Sequence, residues 1–135
     1  IAITATTGLA ALNIGGETIH SLSGLGFTKT TYAEYLKTAS GKWFHDVQDR
    51  LKSIDILIID EVSMLSAQAL NFVIDRVMHA KGKLPQIILA GDFTQLPPVA
   101  RFEDIAQYGE EIAKFCYKCR TWKEINPVVC YLDKS

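Results

Sequence analysis

An α/β domain, a parallel sheet flanked by helices, is the fold class this sequence predicts, and three observations predict it. Four short apolar runs, Ile1 to Ala5, Ile54 to Ile59, Ile87 to Ala90 and Val128 to Leu132, are continuous in apolar character rather than alternating, the pattern of strands covered on both faces. Stretches of helical periodicity lie between them. Strands alternating with helices in this way favour an open sheet joined by right-handed crossovers.

The helices are legible from their ends as well as their stripes. Thr31 with Glu34 three residues later forms a capping box, and Tyr32, Tyr35, Leu36 and Ala39 then recur on one helical face. Ser66 is the N-cap of a longer helix in which Leu70, Val73, Ile74, Val77 and Met78 keep one stripe until Gly82 and Pro85 end it. A further helix carries Ile112, Phe115, Cys116 and Cys119 on one stripe and ends near Thr121 and Trp122. The stretch Ser23 to Ser53 is longer than a crossover needs, so the expectation is one domain over 1–135 with a small helical insertion at about 23–53.

Composition sets the bounds. With 135 residues, 48% hydrophobic and 21% charged, the chain suits a single globular domain. No apolar run nears the roughly 18 residues of a membrane-spanning helix, so no membrane partner is expected. The opening "IAITATTGLAALNIGG" lacks the basic leader of a secretion signal. Cys116, Cys119 and Cys130 are too few and too odd in number for a disulfide framework, which favours a reducing, intracellular setting. A formal charge of -1 provides no global field for nucleic acid. Any contact with nucleic acid must come from individually placed groups.

Two turns carry the chemistry. "ILIIDEVSML", residues 56–65, runs from continuous aliphatics into Asp60 and Glu61, and ligands of open α/β sheets bind beyond such carboxyl ends. There one carboxylate can hold the hydrated Mg²⁺ of a bound nucleotide while the other orients the water that attacks the terminal phosphate. The plainer alternative is two carboxylates meeting solvent where a strand ends. "QIILAGDFTQLPPV", residues 86–99, repeats the arrangement with Asp92 and Gln95. A Gln amide can donate to a phosphate oxygen and accept from water, and Pro97 with Pro98 stiffens the exit of its loop.

"LIIDEVSM" and "LAGDFTQLPPV" at this separation, preceded by "TATTGLAALNIGGETIHSLSGLG", resemble motifs II, III and Ia of superfamily 1 (1B) ATP-dependent DNA helicases of the Pif/RecD-like group. The resemblance runs from Ile3 to about Leu132. It implies a three-layer RecA-like P-loop NTPase domain, ATP and Mg²⁺ as cofactors, and translocation from five-prime to three-prime on single-stranded DNA in repair or recombination. By the same resemblance Asp60 binds the metal, Glu61 polarises the attacking water, and Gln95 senses the γ-phosphate. Thr7, Gly8, His20 and Ser21 match the groups that contact the DNA strand, and a hydroxyl or backbone N–H serves that purpose without net positive charge. The 23–53 insertion falls where the family places a wedge against duplex junctions, with Trp43, Phe44 and His45 as candidates for it. Equally, Trp43, Phe44, Val47 and Leu51 are spaced to pack that insertion onto the core.

The family's P-loop, G-x-x-x-x-G-K-[ST], is not in this sequence: Gly41-Lys42 and Gly82-Lys83 both lack the partner glycine. The expectation is therefore an internal fragment of the first RecA-like domain, lacking the P-loop strand and inactive alone. Its partners would include the P-loop segment and the second RecA-like domain of its own chain. The P-loop strand would pair beside Ile87 to Ala90, leaving that strand as an open apolar edge. A catalytically inactive helicase-derived module that binds single-stranded nucleic acid or a protein remains the alternative. AAA-type motors share the Asp-Glu pair but not the Gly-Asp-x-x-Gln-Leu-Pro-Pro-Val run. Cys116 and Cys119 form a CxxC with no second pair to complete a tetrahedral site, and with Phe115 they read as core. The sequence does not choose among nucleus, mitochondrion, bacterial cytoplasm and virus.

Overall fold

A computed structural model of the chain describes residues 1–25, 31–95 and 97–133. Residues 26–30 of the expected insertion, and Leu96 of the Gln95 loop, lie outside the described residues. Strands β1 (Ala2–Ala5), β2 (Glu17–Thr18), β3 (Ile56–Asp60) and β4 (Gln86–Leu89) form one sheet. Their order is β2-β1-β3-β4 and every pairing is parallel. The helices are α1 (Gly8–Asn13), α2 (Ile19–Ser23), α3 (Tyr32–Thr38), α4 (Lys42–Lys52), α5 (Ala67–Lys81), α6 (Phe102–Tyr108), α7 (Glu110–Lys114) and α8 (Arg120–Ile125).

The longest of these helices, α5, has the ends its sequence specifies. Ser66 Oγ accepts from the Ala69 amide at 3.1 Å, and Gly82 closes the helix in the left-handed region with φ 74°. A side chain at that φ is strained, so glycine is what lets the chain turn away there. Leu70, Val73, Ile74 and Val77 are all but inaccessible and meet Leu57 and Ile59 of β3 in a single core. Each such side chain contributes about 2 kcal/mol relative to solvent exposure. The Thr31 capping box also forms: Thr31 Oγ1 accepts from the Glu34 amide and the Glu34 carboxylate accepts from the Thr31 amide. It starts α3 so that Tyr32 and Tyr35 meet the Phe72 ring edge-on, at 5.4 and 5.2 Å.

Helix α4 buries Val47 and Leu51 while Trp43 stays 58% exposed. Between α3, α4 and α5 lies Arg76, wholly buried, its guanidinium 5.1 Å from the Tyr35 ring centre and 4.8 Å from that of Phe44. Among the described residues no carboxylate pairs with it, and two aromatic faces hold the cation instead.

Three expectations need correction. Val128 to Leu132 is not a strand: Val128, Tyr131 and Leu132 are at least 87% exposed, and apolar side chains alone do not make a ladder when no described strand lies alongside to accept its bonds. The fourth strand is instead β2, two residues long and too short to leave a pattern. The helix expected through Ile112 and Cys119 is broken into α7, a 3₁₀ turn at Cys116–Lys118 and α8. Its stripe is nonetheless real, since Cys116 and Cys119 are both buried. The break comes from tertiary bonds that set the direction of α8: Thr121 Oγ1 donates to Asn71 Oδ1 at 2.8 Å, and Arg120 pairs with Asp75 at 2.8 Å. Finally, β3 is not equally covered on both faces. Leu57 and Ile59 are sealed against the helices, but the register aligns Ile3, Ile58 and Ile88 on the opposite face, where Ile3 is 38% and Ile88 43% exposed. Strand β4 forms one edge of the sheet, where the resemblance leaves an open edge.

Candidate nucleotide and nucleic-acid site

Four parallel strands deliver their carboxyl ends to one rim of the sheet, and the strand order sorts what they deliver. Following the order β2-β1-β3-β4, the rim presents His20 and Ser21, then Thr7 and Gly8, then Asp60 and Glu61, then the loop from Asp92 to Gln95. All seven candidate residues are therefore on one side of the molecule. The two expected for nucleotide chemistry at β3 adjoin the Gln95 loop, and those expected for the DNA strand occupy the other half.

Asp60 closes β3 beside Ala5, and its Oδ1 accepts from the Glu61 amide at 2.9 Å. Glu61 sits at φ 55°, ψ 38°, a left-handed conformation that costs a non-glycine residue about 1 kcal/mol. Such a conformation persists only where its surroundings over-determine it, and here they do. The Glu61 carbonyl accepts from Thr6 Oγ1 at 3.1 Å and from the Met64 amide at 2.9 Å. The Val62 amide donates to the Ala90 carbonyl at 2.9 Å, and the Cys116 thiol donates to the Val62 carbonyl at 3.4 Å. Burial pushes the Cys116 pKa up to about 12, so that thiol remains a protonated donor.

The loop after β4 is locked onto this turn. A Cβ on Gly91 would lie 3.0 Å from the Ser63 amide nitrogen and 3.1 Å from that of Val62, so a side chain would push the two turns apart by a few tenths of an ångström where glycine lets them meet backbone to backbone. Asp92 then spends its carboxylate within the loop. Its Oδ1 accepts from the Thr94 amide at 2.9 Å and from Thr94 Oγ1 at 2.6 Å, and those bonds hold its pKa below the usual carboxylate value. The Gln95 amide donates to the Asp92 carbonyl at 3.3 Å, and its side chain is exposed on the rim. Phe93 anchors the loop from beneath, edge-on to Tyr117 at 4.8 Å and to Trp122 at 5.8 Å.

The other half is held by side-chain caps. Thr7 Oγ1 accepts from the Ala10 amide at 3.2 Å and Thr18 Oγ1 from the Ser21 amide at 3.1 Å, starting α1 and α2 respectively. An accepting hydroxyl keeps its own proton to donate, so Thr7 can still bind a phosphate oxygen. Gly8 opens the first turn of α1, where a backbone amide has no acceptor within the helix. Ser21 is exposed and His20 half-buried, and burial lowers the His20 pKa, making it a neutral ring near pH 7. Thr6, Gly91, Phe93 and Cys116 were not evident from sequence as parts of this site. The Gly-Asp pair marks Gly91, but nothing local marks the turn it must touch.

Residues 1–134 match the family model for PIF1-like helicases. The chain belongs to that family. It is 37% identical to the ATP-dependent DNA helicase PIF7 of Trypanosoma brucei brucei, aligning 97% of this chain and 13% of that protein. Pif1 of a Psychrobacter species is 38% identical over the whole chain and 20% of its own length, and human PIF1 33% identical over 97% and 20%. The chain thus spans a fifth or less of the length of these relatives. Among solved structures, Pif1 of Candida albicans superposes with a TM-score of 0.73 at 32% identity, over 92% of this chain and 27% of that one. Bacteroides Pif1, solved with ADP-AlF3 and single-stranded DNA, superposes with a TM-score of 0.71 at 29% identity, over 90% and 29%. The fold is the RecA-like domain of the PIF1-like helicases, and the PIF1-like chain carries its sheet and flanking helices.

Proposed function

We propose that this chain is the motor segment of a longer ATP-dependent DNA helicase, contributing half of a nucleotide site and part of a single-strand path. The observation that carries the reading is the interlock of the Asp60-Glu61 turn with the 91–95 loop, on the same rim as Thr7 and Ser21. Relatives named as ATP-dependent DNA helicases, and a neighbour solved with ADP-AlF3 and single-stranded DNA, support it. The absence of a P-loop motif in these residues supports a site completed by another segment. The helices between residues 31 and 52, with Trp43 exposed, suit a surface that meets a duplex junction. Three unpaired cysteines suit a reducing compartment.

Glu61, its backbone held by three hydrogen bonds and that of the adjoining Val62 by two more, orients and polarises the water that attacks the terminal phosphate. Gln95 donates to the phosphate oxygen and accepts from that water, registering whether the phosphate is present. Asp60 holds the cation. An all-oxygen donor set of one carboxylate fits Mg²⁺, which is characteristically held by one or two carboxylates together with nucleotide phosphates. Such an ion neutralises charge on the phosphates. Thr6 ties the Glu61 carbonyl to the strand that leads into Thr7 and Gly8, giving nucleotide state a direct route to the DNA grip.

The test is Glu61→Gln in the intact helicase. ATP turnover is expected to be lost while nucleotide binding survives. Full DNA-stimulated hydrolysis by this variant would remove Glu61 from the mechanism.

A further inference from the structure

Helix α2 is only five residues long, and a helix of that length is not stable without bonds from outside. Its N-terminal side is served by Thr18. On its C-terminal side Gly24, at φ 69°, turns the chain and donates to the His20 carbonyl. That leaves the Ser21 and Leu22 carbonyls, last-turn groups with no acceptor role inside so short a helix. A single side chain satisfies both. Arg50 Nη2, from the last turn of α4, donates to the Ser21 carbonyl at 3.1 Å and to the Leu22 carbonyl at 3.1 Å, and Nη1 lies 3.8 Å from Glu17 beside the Thr18 cap. Two turns earlier on α4, Trp43 rests against Gly24 so closely that a Cβ there would sit 2.8 Å from the indole. Helix α4 thus braces α2 at both ends of its own length.

We propose that Arg50 is a positioning residue for DNA binding: through the Ser21 and Leu22 carbonyls it sets the orientation of His20 and Ser21 on the rim. This rests on the reading above that His20 and Ser21 contact the DNA strand. The side-chain bonds of Arg50 go to Ser21, Leu22 and Glu17, away from the Asp60-Glu61 turn, so its effect is expected on the DNA side. The guanidinium is suited to the task because the two N–H groups of Nη2 lie in one fixed plane and reach both carbonyls while Nη1 faces Glu17, whereas a lysine ammonium is shorter and has no second nitrogen to hold that orientation.

The experiment measures DNA-stimulated ATP hydrolysis of the intact helicase as single-stranded DNA is titrated, for Arg50→Ala, Arg50→Lys and the double variant His20→Ala/Ser21→Ala. For Arg50→Ala the DNA concentration giving half-maximal stimulation is expected to rise about tenfold. The rate at saturating DNA, the KM for ATP and the basal rate should stay at the parental values, while the melting temperature falls by the few degrees that two lost hydrogen bonds on a short helix cost. Arg50→Lys, which retains charge and stem and covers the case in which the alanine variant does not fold, should show most of the same loss. Full affinity in Arg50→Lys would make Arg50 a direct phosphate cation and overturn the positioning role. So would a fall in the rate at saturating DNA in step with affinity, which marks a merely structural contact. If the double variant loses affinity and both Arg50 variants do not, the proposal fails and the DNA-contact reading stands. Unchanged affinity in the double variant removes that reading, and the proposal with it.

Discussion

The two halves of the rim are built on different principles. On the half proposed for nucleotide, turns after β3 and β4 are joined main chain to main chain, with Gly91 pressed on Ser63 and the Val62 amide bonded to the Ala90 carbonyl. On the half proposed for DNA, two helices of six and five residues are held by single side chains, Thr7, Thr18 and Arg50. Chemistry on a phosphate requires groups fixed within a fraction of an ångström, and backbone interlocks provide that. A strand that must be gripped and released needs contacts that are individually modest, and capped short helices provide those.

The largest effect should come from breaking the interlock. Gly91→Ala places a methyl against two backbone nitrogens that have little freedom to move, and is expected to cost about 1 to 3 kcal/mol in thermal unfolding. ATP turnover should fall more than DNA affinity does. Equal losses in both would mean that the two halves are not separately built.

A smaller effect is expected on the other side. Thr7→Val keeps shape but removes the cap, at about 1 kcal/mol. It should weaken single-strand binding while leaving nucleotide affinity in place, as equilibrium titrations with each ligand would establish. Weakened nucleotide binding instead would blur the division.

The smallest effect is one of pH, and it separates the halves by titration. Burial lowers the His20 pKa in the fold, so the unfolded chain takes up the proton first as pH falls through the ordinary histidine value near 6.5. Stability contributed by the neutral ring is present above that value and is lost below it. The drop in melting temperature between pH 7 and 5.5 should shrink in His20→Gln; an identical drop would rule out this histidine as its source. Cys116, raised to about 12, makes no such contribution in that range.

Sequence disclosed most where the signal is local. β1, β3 and β4 are apolar runs, and α5 is bounded by Ser66 and Gly82, residues whose own chemistry states the boundary. The place of Asp60, Glu61 and Gln95 on the rim was legible because they follow such runs within a few positions. What was hidden depends on partners far along the chain. Thr6 finds Glu61 across 55 positions, Cys116 finds Val62 across 54, and Arg50 finds Ser21 across 29. Periodicity cannot register those distances. It also misread Val128 to Leu132, because an apolar run states a preference for burial without naming what will cover it.

The bond from Thr6 Oγ1 to the Glu61 carbonyl is already 3.1 Å long, and a hydroxyl bond loses most of its value within a further half ångström or so. It links the turn that would face phosphate to the strand that leads to Thr7, alongside the ladder that pairs Ala5 with Asp60. In the motor proposed above, a hydroxyl bond of this length is the softer of the two links, and the first to give when the turn is displaced.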